Sequence, residues 1–357
     1  MAEYATAAFE SRRRPRTKLW AALTVAVFAA IAAGLYTAFW FDAGERLKTG
    51  IVEWTAQQRA DGNFVVLNDL KITGFPLAFT LTADQAVVGR TNAQTFSWRA
   101  EGFRARAWVW APRTLTMSAP DNGLTFSARG NSRNVEMNAA GLTMTAQLDG
   151  ANWPRIVTAR FERPVLRILG VRDEIAASTL TLNATTAPDG QGSLALEAID
   201  ITSAQALLQR LGGTVDRLTA AADIKGAWTV GPLERQLDAW RLAGGTVEVR
   251  DTRLEWSGLT LDADGTFSLD EELRPLGAMT ATFLGLSDFI DRLQAAEIIR
   301  PRDAAAAKVS INLLGERTEG GRIRIPVTEQ FGRLSVGPIG LGDLLPLPEL
   351  LDIPNLQ

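Results

Sequence analysis

The chain has 357 residues, 37 Lys and Arg against 40 Asp and Glu for a formal net charge of −3, and neither cysteine nor histidine. Lacking both, it cannot build a serine–histidine or cysteine–histidine nucleophile pair, a thiolate metal centre, or a histidine-held zinc or iron site. Carboxylate work, a serine–lysine pair and an oxygen-ligated cation stay chemically open.

Residues 1–18 are a basic head carrying Arg12, Arg13, Arg14, Arg16 and Lys18, and residues 19–41 follow without one charge. At ~1.5 Å per residue that run reaches about 34 Å, enough to cross a hydrocarbon core of about 30 Å with some tilt. A cleaved secretory signal has an apolar core of only about 7–15 residues and small side chains at its exit. Here Tyr36, Phe39, Trp40 and Phe41 stand there instead, as interfacial aromatics do at the end of a spanning helix. The expectation is a retained transmembrane anchor with its amino terminus in the cytoplasm and the remainder exported. The first 41 residues hold five basic and two acidic side chains, so the remainder has 32 against 38, net −6. That sign and compartment make nucleic acid a poor partner.

Residues 42–62 read as a juxtamembrane helix with Leu47, Ile51 and Trp54 at helical spacing. Residues 63–188 are written in a period of two: Leu77, Phe79, Leu81 and Ala83 alternate with Ala78, Thr80, Thr82 and Asp84, and Phe103, Ala105, Ala107 and Val109 with Arg104, Arg106, Trp108 and Trp110. Turn signals recur at Asp61-Gly62, Gly74-Phe75-Pro76, Asn122-Gly123 and Asp189-Gly190, which predicts many short antiparallel strands with one apolar face. Residues 189–343 form a second β-rich half that adds short amphipathic helices near 203–211, 232–242 and 287–300. Residues 302–314 are open between helix, favoured by Ala304 to Ala307, and strand, favoured by Val309 and Ile311. Residues 344–357, with Pro346, Pro348 and Pro354, read as an extended tail. The fold class is mainly β, a β-rich α+β chain: one N-terminal transmembrane helix, then curved antiparallel sheets with a few short helices.

Three groups of residues invite a function. Leu77, Phe79, Leu81, Phe103, Val109, Leu115, Met117, Val247, Val249, Leu259, Leu261, Phe267, Ile323 and Ile325 can line an apolar trough for a lipid chain, or simply fill a core. Arg90, Arg99, Arg104, Arg106, Trp108, Trp110 and Arg113 form a basic aromatic patch suited to phospholipid head groups at a membrane surface, or to a solvated sheet face. Asp262 and Asp264, one residue apart on a strand, are the least implausible centre for a carboxylate or metal-dependent enzyme on envelope glycans, yet they also read as a solvated face ending at Gly265. Beyond the basic head the lysines are Lys48, Lys71, Lys225 and Lys308, none in a Ser-x-x-Lys arrangement. No cofactor and no catalytic residue is expected.

The anchor, Trp54, Val65-Val66-Leu67, Gly74-Phe75-Pro76-Leu77 and the late segment Phe331-Gly332-Arg333-Leu334-Ser335-Val336-Gly337-Pro338-Ile339 resemble a bacterial envelope family catalogued as domain of unknown function 2125. More loosely, Thr246-Val247-Glu248-Val249, Leu254-Glu255-Trp256, Gly258-Leu259-Thr260-Leu261 and Gly265-Thr266-Phe267 are similar to the strand pattern of AsmA-like and TamB-like envelope proteins. The first resemblance implies nothing catalytic; the second implies a curved sheet that handles phospholipid between membranes. With the anchor read above, the expectation is a single-pass protein of the bacterial inner membrane with a periplasmic main domain, binding phospholipid or, alternatively, pairing its sheet edges with another envelope protein. About 300 residues are too few for a trough that crosses an envelope.

Overall fold

The computed structural model describes residues 16–90, 94–128, 134–168, 174–188, 191–203, 206–226, 233–330, 333–336 and 339–343. Most of the basic head, the tail, and Phe331-Gly332 and Gly337-Pro338 of the late motif lie outside the described residues.

In chain order, α1 (Arg16–Ala60) leads to β1 (Asn63–Asn68), β2 (Lys71–Thr73), β3 (Ala78–Arg90), β4 (Gln94–Trp108), β5 (Ala111–Ala119), β6 (Asp121–Ala128), β7 (Asn134–Ala139), β8 (Gly141–Leu148), β9 (Pro154–Glu162), β10 (Val165–Ile168), β11 (Glu174–Ala176), β12 (Thr179–Thr186) and β13 (Gly192–Ser203). After α2 (Ala206–Arg210) come β14 (Thr214–Lys225), α3 (Leu233–Leu242), β15 (Thr246–Trp256), β16 (Leu259–Leu269), β17 (Pro275–Leu284), α4 (Leu286–Ala295), α5 (Pro301–Leu314), β18 (Glu316–Thr318), β19 (Arg322–Gln330), β20 (Arg333–Val336) and β21 (Ile339–Asp343). All the strands belong to one 21-stranded sheet. Its pairings are antiparallel and follow chain order as a meander, with β1 and β2 end to end along β3, and likewise β5 with β6 along β4, β7 with β8, β9 with β10, and β11 with β12. The sheet continues across the joint at 188–190, since β12 and β13 pair from Thr179↔Ile199 to Thr186↔Gly192.

The register separates the two faces. Paired residues share a face of a sheet. Phe79, Ala107, Leu115, Ala146, Val157, Ala184, Leu194, Ala222, Val249, Gly265, Met279 and Val327 are successive partners, an unbroken apolar rung. One face over, Thr82, Arg104, Ser118, Thr143, Arg160, Thr181, Glu197, Thr219, Arg253, Asp262, Thr282 and Arg324 form an equally unbroken polar one.

The end-to-end breaks line up as a crease. Asp69, Gly102, Arg163 and Asp200 have positive φ of 54°, 61°, 47° and 52°. Pro120 stands where Glu101↔Asp121 and Arg104↔Ser118 bracket Gly102. A left-handed residue breaks the two-residue alternation and bends the strand. The inward set therefore jumps from Phe103 to Ala100 on β4, from Ala119 to Asn122 on β5 and β6, and from Leu142 to Ala139 on β8 and β7. Ala100, Ala119 and Ala139 are almost wholly buried, packed with Leu142, Ala159 and Phe161. Across the fold Trp98 meets Phe103 edge to face at 5.7 Å. The apolar face is thus the inside of a folded sheet, and alanine at the crease lets the two panels approach. The accessible surface is 23264 Å² for 38.6 kDa, whereas a compact monomer of that mass exposes about 14,000 Å². The long exposed helix α1 contributes part of the excess.

Candidate functional site: an apolar trough

The inner face has covered ends. At the amino-terminal end, α1 runs unbroken past the apolar stretch and lies along the first strands. Trp40 stacks on Phe79 at 5.2 Å and meets Phe75 edge-on at 5.5 Å, and Phe41 stacks on Phe75 at 5.8 Å. Gly44 is buried where a Cβ would reach Ile72, and Arg59 donates from Nε (3.1 Å) and Nη2 (2.7 Å) to the Val65 carbonyl. The stripe that meets the sheet is Trp40, Gly44, Ile51 and Thr55. Leu47 and Trp54, expected on that stripe with Ile51, are exposed instead.

At the other end, Leu237 and Trp240 of α3 bury Leu269 and pack on Ile224 and Val247, while Phe289 of α4 covers Leu259 and Phe283 together with Leu211. The undecided segment is helix α5, beginning with Pro301 in its first turn, where the missing N–H costs nothing. Just past its end Gly315 lies against Ile323, leaving no room for a Cβ at that position.

Between these covers the inner face is open. Exposure rises away from the crease: Phe161 is buried, Leu182 is 39% exposed and Leu194 52%. Leu115, Met117, Met144, Val157 and Leu196 are half-buried beside them.

The trough residues singled out from sequence all fall on this one face, but in different settings. Phe79 lies beneath Trp40, Phe103 in the crease, and Val247 and Leu259 beneath helices. Ile325 is buried, and Val249, Leu261, Phe267 and Ile323 are half-buried toward the helix-covered end. Leu81, Val109, Leu115 and Met117 border the open stretch, and Leu77 stands at the rim, 54% exposed. Sequence reading missed Leu182, Leu194 and Leu196. The alternations Leu180-Leu182-Ala184 and Leu194-Leu196-Ala198 carry the signal.

The basic aromatic patch divides at the crease. Arg104, Arg106 and Trp108 share the outer face of one panel, with the Arg106 guanidinium 5.6 Å from the Trp108 ring centre and Trp108 stacked on Trp110 at 4.9 Å. Arg99 lies on the other panel, in the β3–β4 pair Val87↔Arg99.

Asp262 lies in the polar rung on the outer face, its oxygens taken by Arg253 Nε (2.6 Å) and Arg322 Nη1 (2.8 Å). The Arg253 hydrogen bond first, and Arg322 with it, holds its carboxyl below the usual carboxylate range despite partial burial. A depressed folded pKa adds stability above the unfolded value of about 3.9, lost as pH falls through the folded one. Asp262→Asn is therefore expected to flatten the loss of stability between pH 5 and lower pH in urea titrations; an unchanged pH profile would show the ion pairs contribute nothing. Among the described residues no group of three or more acidic side chains is placed to hold a metal.

Two rim turns share one construction. Asp149 accepts from the N–H of Ala151 (2.8 Å) and Trp153 (3.0 Å), and Asp270 from Glu272 (3.0 Å) and Arg274 (2.8 Å). Each turn has a left-handed residue, Asn152 or Leu273, and ends before a proline. The Trp153 N–H first, then Ala151 and Arg155, lowers the Asp149 pKa, and the turn presents Trp153 67% exposed.

The model of a family described as "Uncharacterized protein conserved in bacteria (DUF2125)" matches residues 40–344. No curated protein and no solved structure matches the chain, so the likeness to AsmA-like and TamB-like proteins rests on strand pattern alone.

Proposed function

The chain belongs to the DUF2125 family, and we propose that it is a non-catalytic, membrane-anchored envelope protein whose trough holds phospholipid acyl chains. In this reading α1 spans the bacterial inner membrane, for which it is long and apolar enough. The basic head keeps its amino terminus in the cytoplasm, and the sheet stands in the periplasm. The observation that carries the proposal is the unbroken apolar rung on the inside of the fold, covered at both ends and open between them. A filled core would bury Leu182 and Leu194; an acyl chain needs such a continuous apolar wall, at about 0.8 kcal/mol per buried methylene. The full chain purified in mild detergent is expected to carry close to one phospholipid per protein by extract mass spectrometry. Protein free of lipid overturns the proposal.

A second reading has one observation behind it. β21 pairs with β20 and has no other strand partner among the described residues, so its edge can take a strand from another envelope protein.

A further inference from the structure

How lipid would reach the trough depends on how the sheet stands against the bilayer, and two contacts of α1 fix that. At one end Tyr36, Trp40 and Phe41 close on Phe75, and the Tyr36 hydroxyl donates to the Pro76 carbonyl. These residues end the uncharged run, so the turn at residues 74–77 stands where the helix leaves the hydrocarbon. At the other end Arg59 grips the Val65 carbonyl, and Val65 pairs with Val88. From Trp40 to Arg59 the helix rises about 29 Å. From Phe79, beneath Trp40, to Val88 the strand rises about 30 Å. That stretch of β3 crosses the crease between Ala83 and Gln85, so α1 follows the course of the strand from one panel to the other.

The first strands therefore stand along the anchor, and the trough, which crosses the strands, runs along the membrane surface instead of away from it. The turns beside residues 74–77 lie on the same rim, the Val109 N–H donating to the Leu77 carbonyl at 3.1 Å. They present Leu77 (54% exposed), Trp110 (66%) and Trp153 (67%), with Arg106 against Trp108. Indole rings and an arginine in continuity with the exit of a spanning helix match the head-group layer of that same bilayer.

Resting on the anchor of the proposed function, we propose that this rim, residues 74–77, 108–111 and 149–153, seats on the surface of the bilayer that α1 spans, so that acyl chains enter the trough sideways from that leaflet.

The absence of cysteine permits a direct test in the full chain. Trp110→Cys, Trp153→Cys and Asp61→Cys would each carry a nitroxide in phosphatidylethanolamine and phosphatidylglycerol vesicles, with spin relaxation by oxygen and by a water-soluble nickel chelate compared. Position 61 stands about 30 Å beyond Phe41 along the helix and serves as the aqueous reference. The expected result is at least threefold lower nickel accessibility at 110 and 153 than at 61, with oxygen accessibility raised. Nickel accessibility at 110 or 153 equal to that at 61 overturns the seating. Carbonate washing separates the two readings: protein released from the vesicles sinks the anchor itself, whereas retained protein with aqueous labels sinks only the rim.

Discussion

Glutamate at both Leu182 and Leu194 is expected to strip phospholipid from the purified protein while leaving the sheet folded. Both side chains project from the inner face of neighbouring strands, in the pairs Leu182↔Leu196 and Ala184↔Leu194, and both are substantially exposed without a ligand. A carboxylate there stays hydrated in the empty protein, so the cost to folding is that of a surface substitution, about 0.5 kcal/mol or less. An acyl chain laid over it must dehydrate the charge, which costs several kcal/mol, enough for at least a tenfold loss of bound lipid. Extract mass spectrometry and thermal unfolding of the same preparations check the two halves of this result. Val309→Glu, on the exposed side of α5, should keep both lipid and stability. Undiminished lipid in the double variant would mean that the open stretch is not the wall that holds it.

The strands and the two-faced sheet were legible because a half-buried antiparallel strand must alternate. The crease was written in the same residues, as a change of phase. Leu115, Met117 and Ala119 are odd-numbered, and Asn122 and Leu124, inside the fold beyond Pro120, are even. Read strand by strand such a jump looks like an ordinary turn; only the shared register shows that several strands jump at one level. The covers were not legible, because nothing local to Val247 or Leu259 says that Trp240 or Phe289 lies above it. Segment 301–314 shows tertiary structure deciding between propensities. β17 pairs directly with β19, so Val309 and Ile311 have no ladder to join, and the alanine run takes the helix. Leu182 and Leu194 do not differ in sequence from Leu81 or Leu261, because alternation marks the face a side chain takes and not whether a helix or a second panel covers it.

Removal of the Trp40 side chain is expected to be the most damaging single change outside the crease. Trp40 is 4% exposed and lies among Phe41, Phe75 and Phe79, so Trp40→Ala both loses the transfer energy of an indole and leaves a cavity, about 3–5 kcal/mol. For a domain of this size that lowers the unfolding temperature by on the order of 10 °C. The loss falls on the junction that sets the helix against β3, so the variant should also expose the junction after Phe41 to protease in detergent. Trp54→Ala, on the same helix but 49% exposed, should unfold within about 1 °C of the parent protein, its cost being that of a surface change. Thermal scans by near-ultraviolet circular dichroism distinguish the pair. Equal midpoints for the two variants would mean that helix and sheet are not held together by this aromatic cluster, and the course of α1 along β3 would lose one of its two pins.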